Sequence, residues 1–311
     1  MVVPETALLT KIEACRALGA EITQVGSSLE EATDHALEVA ARDELTFISP
    51  YDDWDIIAGQ ASCGLEILED LPDVTTVLVP LGGGGLLSGI TLGIKLQRPD
   101  VRLIGVQSDA VAPWRHFLDD GTFEETRAGS RTIADGISVK APGQRTREVI
   151  ARDVDEIVTA DDDAIAEAIV KLLERTRTMA EGGAVAAAAL LKHRVKIELD
   201  EKVVCVVSGG NIDMTLVGRS IDYGLTSSGR LLRIAVTLPD TPGQLARLVN
   251  TAADLGMNVR HVEHGRGEMR VPVGLTEITL EMETRDREHQ HELMRQLSEQ
   301  GLAVRELTAL S

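Results

Sequence analysis

The stretch Thr75-Thr76-Val77-Leu78-Val79-Pro80-Leu81-Gly82-Gly83-Gly84-Gly85-Leu86-Leu87-Ser88-Gly89 decides the fold. Its first half is a short, continuous apolar run, which is how a strand buried on both faces reads. Four glycines follow, and Leu86 to Leu96 then carries a helical pattern. Without Cβ atoms the glycines let the backbone turn sharply and bring its N–H groups together. The helix behind them adds the positive end of its dipole. Strand, glycine loop and helix in that order suit a phosphate group; a merely tight turn is the plainer reading of the same residues.

Moving outward, Ser208-Gly209-Gly210-Asn211 forms a second glycine-rich junction, at the end of an apolar strand over Lys202–Val207. Open α/β sheets place ligands at the carboxyl ends of their parallel strands, so the two loops can face one site. The Ser208 hydroxyl there can exchange a hydrogen bond with a ring nitrogen, or it can simply cap a following helix. Val101–Gln107 is another apolar strand. Ala20–Val25 reads as a short strand after the helical Leu9–Leu18, and Ser28 with Glu31 forms a capping box ahead of an Ala-rich helix. Strands alternating with helices predict a parallel sheet covered on both faces.

From Leu231 the rhythm changes. Strands over Leu231–Leu238, Asn258–His264, Leu275–Glu283 and Ala303–Leu307 alternate with helices over Gln244–Leu255 and Arg287–Glu299. This β-α-β-β-α-β order is the ferredoxin-like split pattern. The expected division is therefore an α/β domain over 1–225, a linker over 226–230 built on Thr226-Ser227-Ser228-Gly229, and a small domain over 231–311.

Composition narrows the function. Among 311 residues, 50 are acidic and 31 basic, a formal charge of −19 that repels nucleic acid and anionic membranes alike. No secretory leader is visible, and no apolar run approaches the roughly 20 residues of a membrane helix. Cys15, Cys63 and Cys205 are widely spaced and odd in number, which fits reduced thiols in a cytoplasmic protein rather than disulfides or a metal site. His261, Glu263 and His264 share one strand, but alternation puts His264 on the opposite face, so no metal site is expected there.

Val79 through Gly89 resembles the phosphate loop of fold-type II pyridoxal-phosphate enzymes, and Val207-Ser208-Gly209-Gly210-Asn211-Ile212-Asp213 is similar to the loop that meets the pyridine nitrogen there. Further segments resemble the threonine ammonia-lyases in particular. They are Pro4-Glu5-Thr6, Leu18-Gly19-Ala20-Glu21, Asp52-Asp53-Trp54 with Ile57-Ala58-Gly59-Gln60, Thr132-Ile133-Ala134-Asp135-Gly136-Ile137, and Ala180-Glu181-Gly182-Gly183-Ala184. Leu238-Pro239-Asp240-Thr241-Pro242-Gly243-Gln244-Leu245 resembles the first strand-to-helix turn of ACT domains. The resemblance runs the whole length of the chain, in order.

It implies a fold-type II α/β domain followed by a ferredoxin-like ACT domain, and pyridoxal 5′-phosphate as cofactor. The phosphate would sit on Gly82, Gly83, Gly84, Gly85 and Leu86, with Ser208 at the pyridine nitrogen and Gly136 and Glu181 close by. For Glu181, an acid favoured at a helix N-terminus is the competing reading. The implied reaction converts L-threonine to 2-oxobutanoate and ammonia, with L-serine as a secondary substrate. Serine dehydratase or racemase chemistry is the neighbouring alternative. An amino-acid effector would bind around Asp240, Pro242, Gly243 and Leu245, and a homo-oligomer is expected.

The pattern also departs from the family. The Schiff-base lysine and the Ser-x-x-Asn-His substrate loop lie upstream of every matching segment, and neither motif occurs here. Lys11, Lys95, Lys140, Lys171, Lys192, Lys196 and Lys202 match no catalytic position and read as surface charges. The expectation is a chain that starts late, with 1–50 as part of the small subdomain. Catalysis by it alone is not expected, and an amino-acid-binding remnant is the alternative. Ser49, Tyr51 and Trp54 replace the family's common His, Phe and Pro. Gln107 and Pro113 stand where cation-binding relatives carry acidic ligands, so no metal is expected.

Overall fold

A computed structural model describes residues 1–7, 9–127, 129–210, 214–265 and 271–307. The chain opens with strand β1 (Val2–Val3), helix α1 (Leu9–Ala17), strand β2 (Thr23–Gln24) and helix α2 (Leu29–Arg42). The strand read over Ala20–Val25 shrinks to two residues because β1 offers only Val2 and Val3 to pair with it, in parallel. Ser28 caps α2, its Oγ accepting the Glu31 N–H at 3.2 Å. The Glu31 carboxylate reaches one residue further back than a capping box requires, to the Ser27 N–H at 2.6 Å.

Next come α3 (Trp54–Asp70), β3 (Thr76–Pro80), α4 (Gly85–Lys95), β4 (Arg102–Ser108), the short α5 (Phe117–Asp120) and a single 3-10 turn at Asp135–Ile137. After them follow α6 (Gln144–Asp153), β5 (Glu156–Ala160), α7 (Asp162–Thr176), α8 (Val185–Leu191), β6 (Val203–Cys205) and α9 (Met214–Ser227). The four strands form one parallel sheet in the order β5-β4-β3-β6. All of β3 is buried, and its side chains alternate between two cores. Leu78 packs with Ile104, Val106 and the alanine-rich faces of α7 and α8. Val77 and Val79 face Leu87, Ile90, Ile94 and Trp114. Each such buried aliphatic side chain stabilises the sheet by roughly 1.5–3 kcal/mol.

Helices α3 and α4 meet backbone to backbone. A Cβ on Gly64 would lie 2.5 Å from the Ile90 carbonyl oxygen, and one on Gly93 would lie 2.4 Å from that of Ala61. This close approach fixes α4, and with it the helix N-terminus that follows the glycine loop. At the far end of the sheet, burial pushes the Cys205 thiol up to about 11. At pH 8 only about one such thiol in a thousand is the reactive thiolate. Iodoacetamide on the native chain is expected to spare Cys205 while a urea-unfolded sample is labelled there. Rapid native labelling in peptide mass spectra would refute the packing of β6.

The second unit comprises β7 (Leu231–Pro239), α10 (Gln244–Asp254), β8 (Asn258–Gly265), β9 (Leu275–Glu283), α11 (Arg287–Glu299) and β10 (Ala303–Glu306). Its antiparallel sheet has the order β10-β7-β9-β8, the split pattern read from the sequence. Leu232, Ile234, Val236 and Leu238 pack with Leu248, Ala252, Leu293 and Leu297 of the two helices. The connection between the units is shorter than the 226–230 read from composition. Helix α9 runs through Ser227, and Gly229 ends the turn after it with φ +73°. The Gly229 carbonyl accepts from Thr284 Oγ1 at 2.6 Å and Gln290 Nε2 at 2.9 Å, both buried.

Candidate active site

The glycine loop sits between the carboxyl end of β3 and the N-terminus of α4. Gly84 takes φ +100° as the residue before the helix, a left-handed conformation that side chains with a Cβ rarely adopt. A Cβ on Gly83 would fall 2.4 Å from the Tyr51 ring, and one on Gly85 would lie 2.9 Å from the Tyr51 carbonyl oxygen. The Gly83, Gly84 and Gly85 backbones are buried, yet their N–H groups donate to no protein acceptor among the described residues. Buried donors in that state need an acceptor, and consecutive N–H groups at a helix N-terminus suit an anion.

Tyr51 is held over the loop by its neighbours. Its hydroxyl donates to the Ala141 carbonyl at 2.9 Å. Ser49 Oγ accepts the Asp52 N–H at 3.0 Å. Helix α6 has no side-chain cap of its own at Gly143. Asp52 supplies one from 92 residues away, accepting the N–H groups of Gln144 at 3.0 Å, Arg145 at 2.8 Å and Thr146 at 3.2 Å. The Asp52-Asp53-Trp54 segment thus ties α6 to the edge of the loop.

The other residues singled out from the sequence converge on the same end of the sheet. A Cβ on Gly82 would lie 3.0 Å from Ile137 Cα, and Ile137 adjoins Gly136. Glu181 Oε1 would lie 2.9 Å from a Cβ on Gly136 and 2.2 Å from one on Gly209, so its carboxylate stands between those two backbones. Ser208 pairs with Gly183 through an isolated antiparallel bridge. The segment bearing Gly136 hangs from the start of α7, where Asp162 accepts from Thr132 Oγ1 at 2.5 Å and from the Ile133 N–H at 3.0 Å. Asn211, Ile212 and Asp213 of the second loop lie outside the described residues.

Several residues sit elsewhere. Asp240, Pro242, Gly243 and Leu245 line a separate pocket of about 270 Å3 in the second unit, together with His264 and Thr276. Gln107 is fully buried, its Oε1 accepting the Trp114 N–H at 3.0 Å. No group of three His, Cys, Asp or Glu side chains converges among the described residues. Lys95 is bound to Asp155 at 3.0 Å with its side chain 17% exposed, so it is a half-covered ion pair rather than a free surface charge. Lys171 and Lys192 share Glu167, Lys196 pairs with Glu198, and Lys202 pairs with Asp73. Sequence reading missed Thr146 and Trp114, whose side chains bond the glycine loop directly.

A parallel sheet carrying a buried glycine cradle at its carboxyl end, with a serine loop beside it, is the arrangement in which open α/β sheets hold ligands. Residues 1–209 match the family described as pyridoxal-phosphate dependent enzyme. The chain is 43% identical over 307 residues to a protein of Thermotoga maritima named L-threonine ammonia-lyase, covering 98% of this chain and 76% of that one. A protein of the same name from Geobacter sulfurreducens is 43% identical over 303 residues, covering 97% and 75%. Among solved structures, processed threonine deaminase isoform 2 from Solanum lycopersicum superposes with TM-score 0.63 at 33% identity, over 71% of this chain and 61% of that one. Maize serine racemase does so with TM-score 0.64 at 29% identity, over 72% and 69%. The chain belongs to the fold-type II pyridoxal-phosphate family. Its buried loop N–H groups, which have no protein acceptor among the described residues, fit the cofactor's phosphate.

Proposed function

We propose that this is a threonine ammonia-lyase chain. Its α/β unit holds pyridoxal 5′-phosphate for the conversion of L-threonine to 2-oxobutanoate and ammonia, with L-serine giving pyruvate as a secondary reaction. The observation that carries this reading is the convergence of the glycine cradle, Gly136, Glu181 and Ser208, in a chain 43% identical to two proteins of that name. When bound, the cofactor supplies an electron sink for the substrate's Cα. The N–H groups of Gly83, Gly84 and Gly85, with the α4 dipole, would hold the phosphate, and Leu86 would extend the cradle into the helix. Ser208 would offer the pyridine nitrogen a neutral hydroxyl rather than a carboxylate. A neutral partner of that kind would suit β-elimination.

The chemistry also requires a lysine amine. Lys95, Lys171, Lys192, Lys196 and Lys202 are paired with carboxylates, and none of the seven lysines, Lys11 and Lys140 included, matches the family's Schiff-base position. The chain by itself is therefore proposed to bind the cofactor without turning over threonine. A coupled assay for 2-oxobutanoate, run with added cofactor, is expected to stay at background. Formation at a rate comparable to an active threonine ammonia-lyase assayed alongside would refute the inactivity and leave the family activity standing. The second unit is proposed to be an ACT-type regulatory domain that takes an amino-acid effector in the pocket of Asp240, Pro242, Gly243 and Leu245. The observation that favours it is that pocket's position at the first strand-to-helix turn, with the α10 N-terminus beside it. Side-by-side pairing of such domains would make the protein a homo-oligomer.

A further inference from the structure

We infer that Trp114 and Thr146 are positioning residues that set the direction of two consecutive peptides in the glycine loop; the inference rests on the phosphate-cradle reading above. The Trp114 indole N–H donates to the Gly82 carbonyl at 2.9 Å. The Thr146 hydroxyl donates to the Gly83 carbonyl, also at 2.9 Å. A trans peptide is planar, with its C=O and N–H pointing in opposite directions. Holding the Gly82 carbonyl therefore aims the Gly83 N–H away from Trp114, and holding the Gly83 carbonyl aims the Gly84 N–H away from Thr146. Those are two of the buried donors that have no protein acceptor among the described residues.

Glycine peptides need such restraint because they rotate with little steric penalty. An unrestrained loop would present carbonyl oxygens to the phosphate in a fraction of its conformations. Both donors are themselves fixed. Trp114 is fully buried and stands edge-on to Phe117, with centroids 5.0 Å apart, and to Phe123, with centroids 5.1 Å apart. Thr146 is fully buried in the first turn of α6, which Asp52 caps. Each side chain acts through the carbonyl it holds, so neither is a catalytic residue.

The test uses 4-deoxypyridoxine 5′-phosphate, which keeps the ring and phosphate but has no aldehyde, so it reports the cradle without any lysine. Its dissociation constant is measured by calorimetry on the parent chain and on Thr146→Val, Thr146→Ser and Trp114→Phe, with thermal melting as the check on folding. Thr146→Val keeps the side-chain shape and loses the hydroxyl; it is expected to bind about tenfold more weakly, the size of one lost hydrogen bond. Thr146→Ser restores the hydroxyl and is expected to bind within about twofold of the parent. Trp114→Phe is expected to weaken binding by about tenfold as well. Parent-like binding by Thr146→Val, or equal loss in Thr146→Val and Thr146→Ser, overturns the inference while leaving the cofactor reading intact. No binding by the parent chain overturns both.

Discussion

Replacing Gly183 with alanine is expected to lower stability by roughly 3 kcal/mol and to cost the site its second loop. A Cβ at this position would lie 1.4 Å from the Ser208 carbonyl oxygen and 2.3 Å from its carbonyl carbon. The obstacle is backbone, held in the bridge between Gly183 and Ser208, so no rotamer change relieves it. Either the bridge opens or the Glu181–Ala184 segment moves away from the sheet. Both routes displace Ser208 from the ring nitrogen it is proposed to meet, and Glu181 from its place between Gly136 and Gly209. Urea unfolding of Gly183→Ala against the parent checks the first effect, and binding of 4-deoxypyridoxine 5′-phosphate checks the second. An unchanged urea midpoint would show that the two backbones are not in contact.

Asp52→Ala is expected to lower stability by roughly 2 kcal/mol, the upper range for a lost helix cap. The loss exceeds that of an ordinary cap residue because one carboxylate serves three N–H groups of α6, and Gly143 offers no substitute. The fit is tight: a Cβ on Gly143 would lie 2.3 Å from the Asp52 carboxyl carbon. Asp52→Asn keeps one acceptor oxygen and is expected to recover about half of the loss. Thermal melting followed by circular dichroism separates the variants. Equal melting of Asp52→Ala and the parent would mean that water caps α6 just as well.

The parallel sheet and the split β-α-β-β-α-β unit were legible in the sequence because their central strands are apolar throughout or carry large aliphatic residues at every second position. Val77-Leu78-Val79 and the run Leu232, Ile234, Val236, Leu238 are examples. Strand β5 was not read. Glu156-Ile157-Val158-Thr159-Ala160 is short, begins with a charge and lies at the sheet edge with only Ala160 fully buried, so neither a buried run nor an alternation stands out. The two glycine loops were visible, and resemblance added Gly136 and Glu181. The contacts among them were not, since Glu181 is 45 residues from Gly136 and their meeting depends on how α7 and α8 pack. Trp114 and Thr146 left fainter traces. One is a rare residue type within an apolar stretch, and the other is a threonine three residues after a helix-starting glycine. Nothing local ties either to a glycine 32 or 63 residues away.

The clamp on Gly229 has a consequence for how the protein can be taken apart. Proteases cut where a stretch of backbone can be drawn out of the fold into their cleft. Between α9 and β7 the chain has only Ser228, Gly229 and Arg230 to offer. The Ser228 N–H is bonded to Gly224, the Gly229 carbonyl is gripped by Thr284 and Gln290, and the Arg230 side chain is bound to Glu174. A junction that composition paints as an exposed hinge is thereby shielded from digestion, and the two units should survive trypsin as one fragment across it.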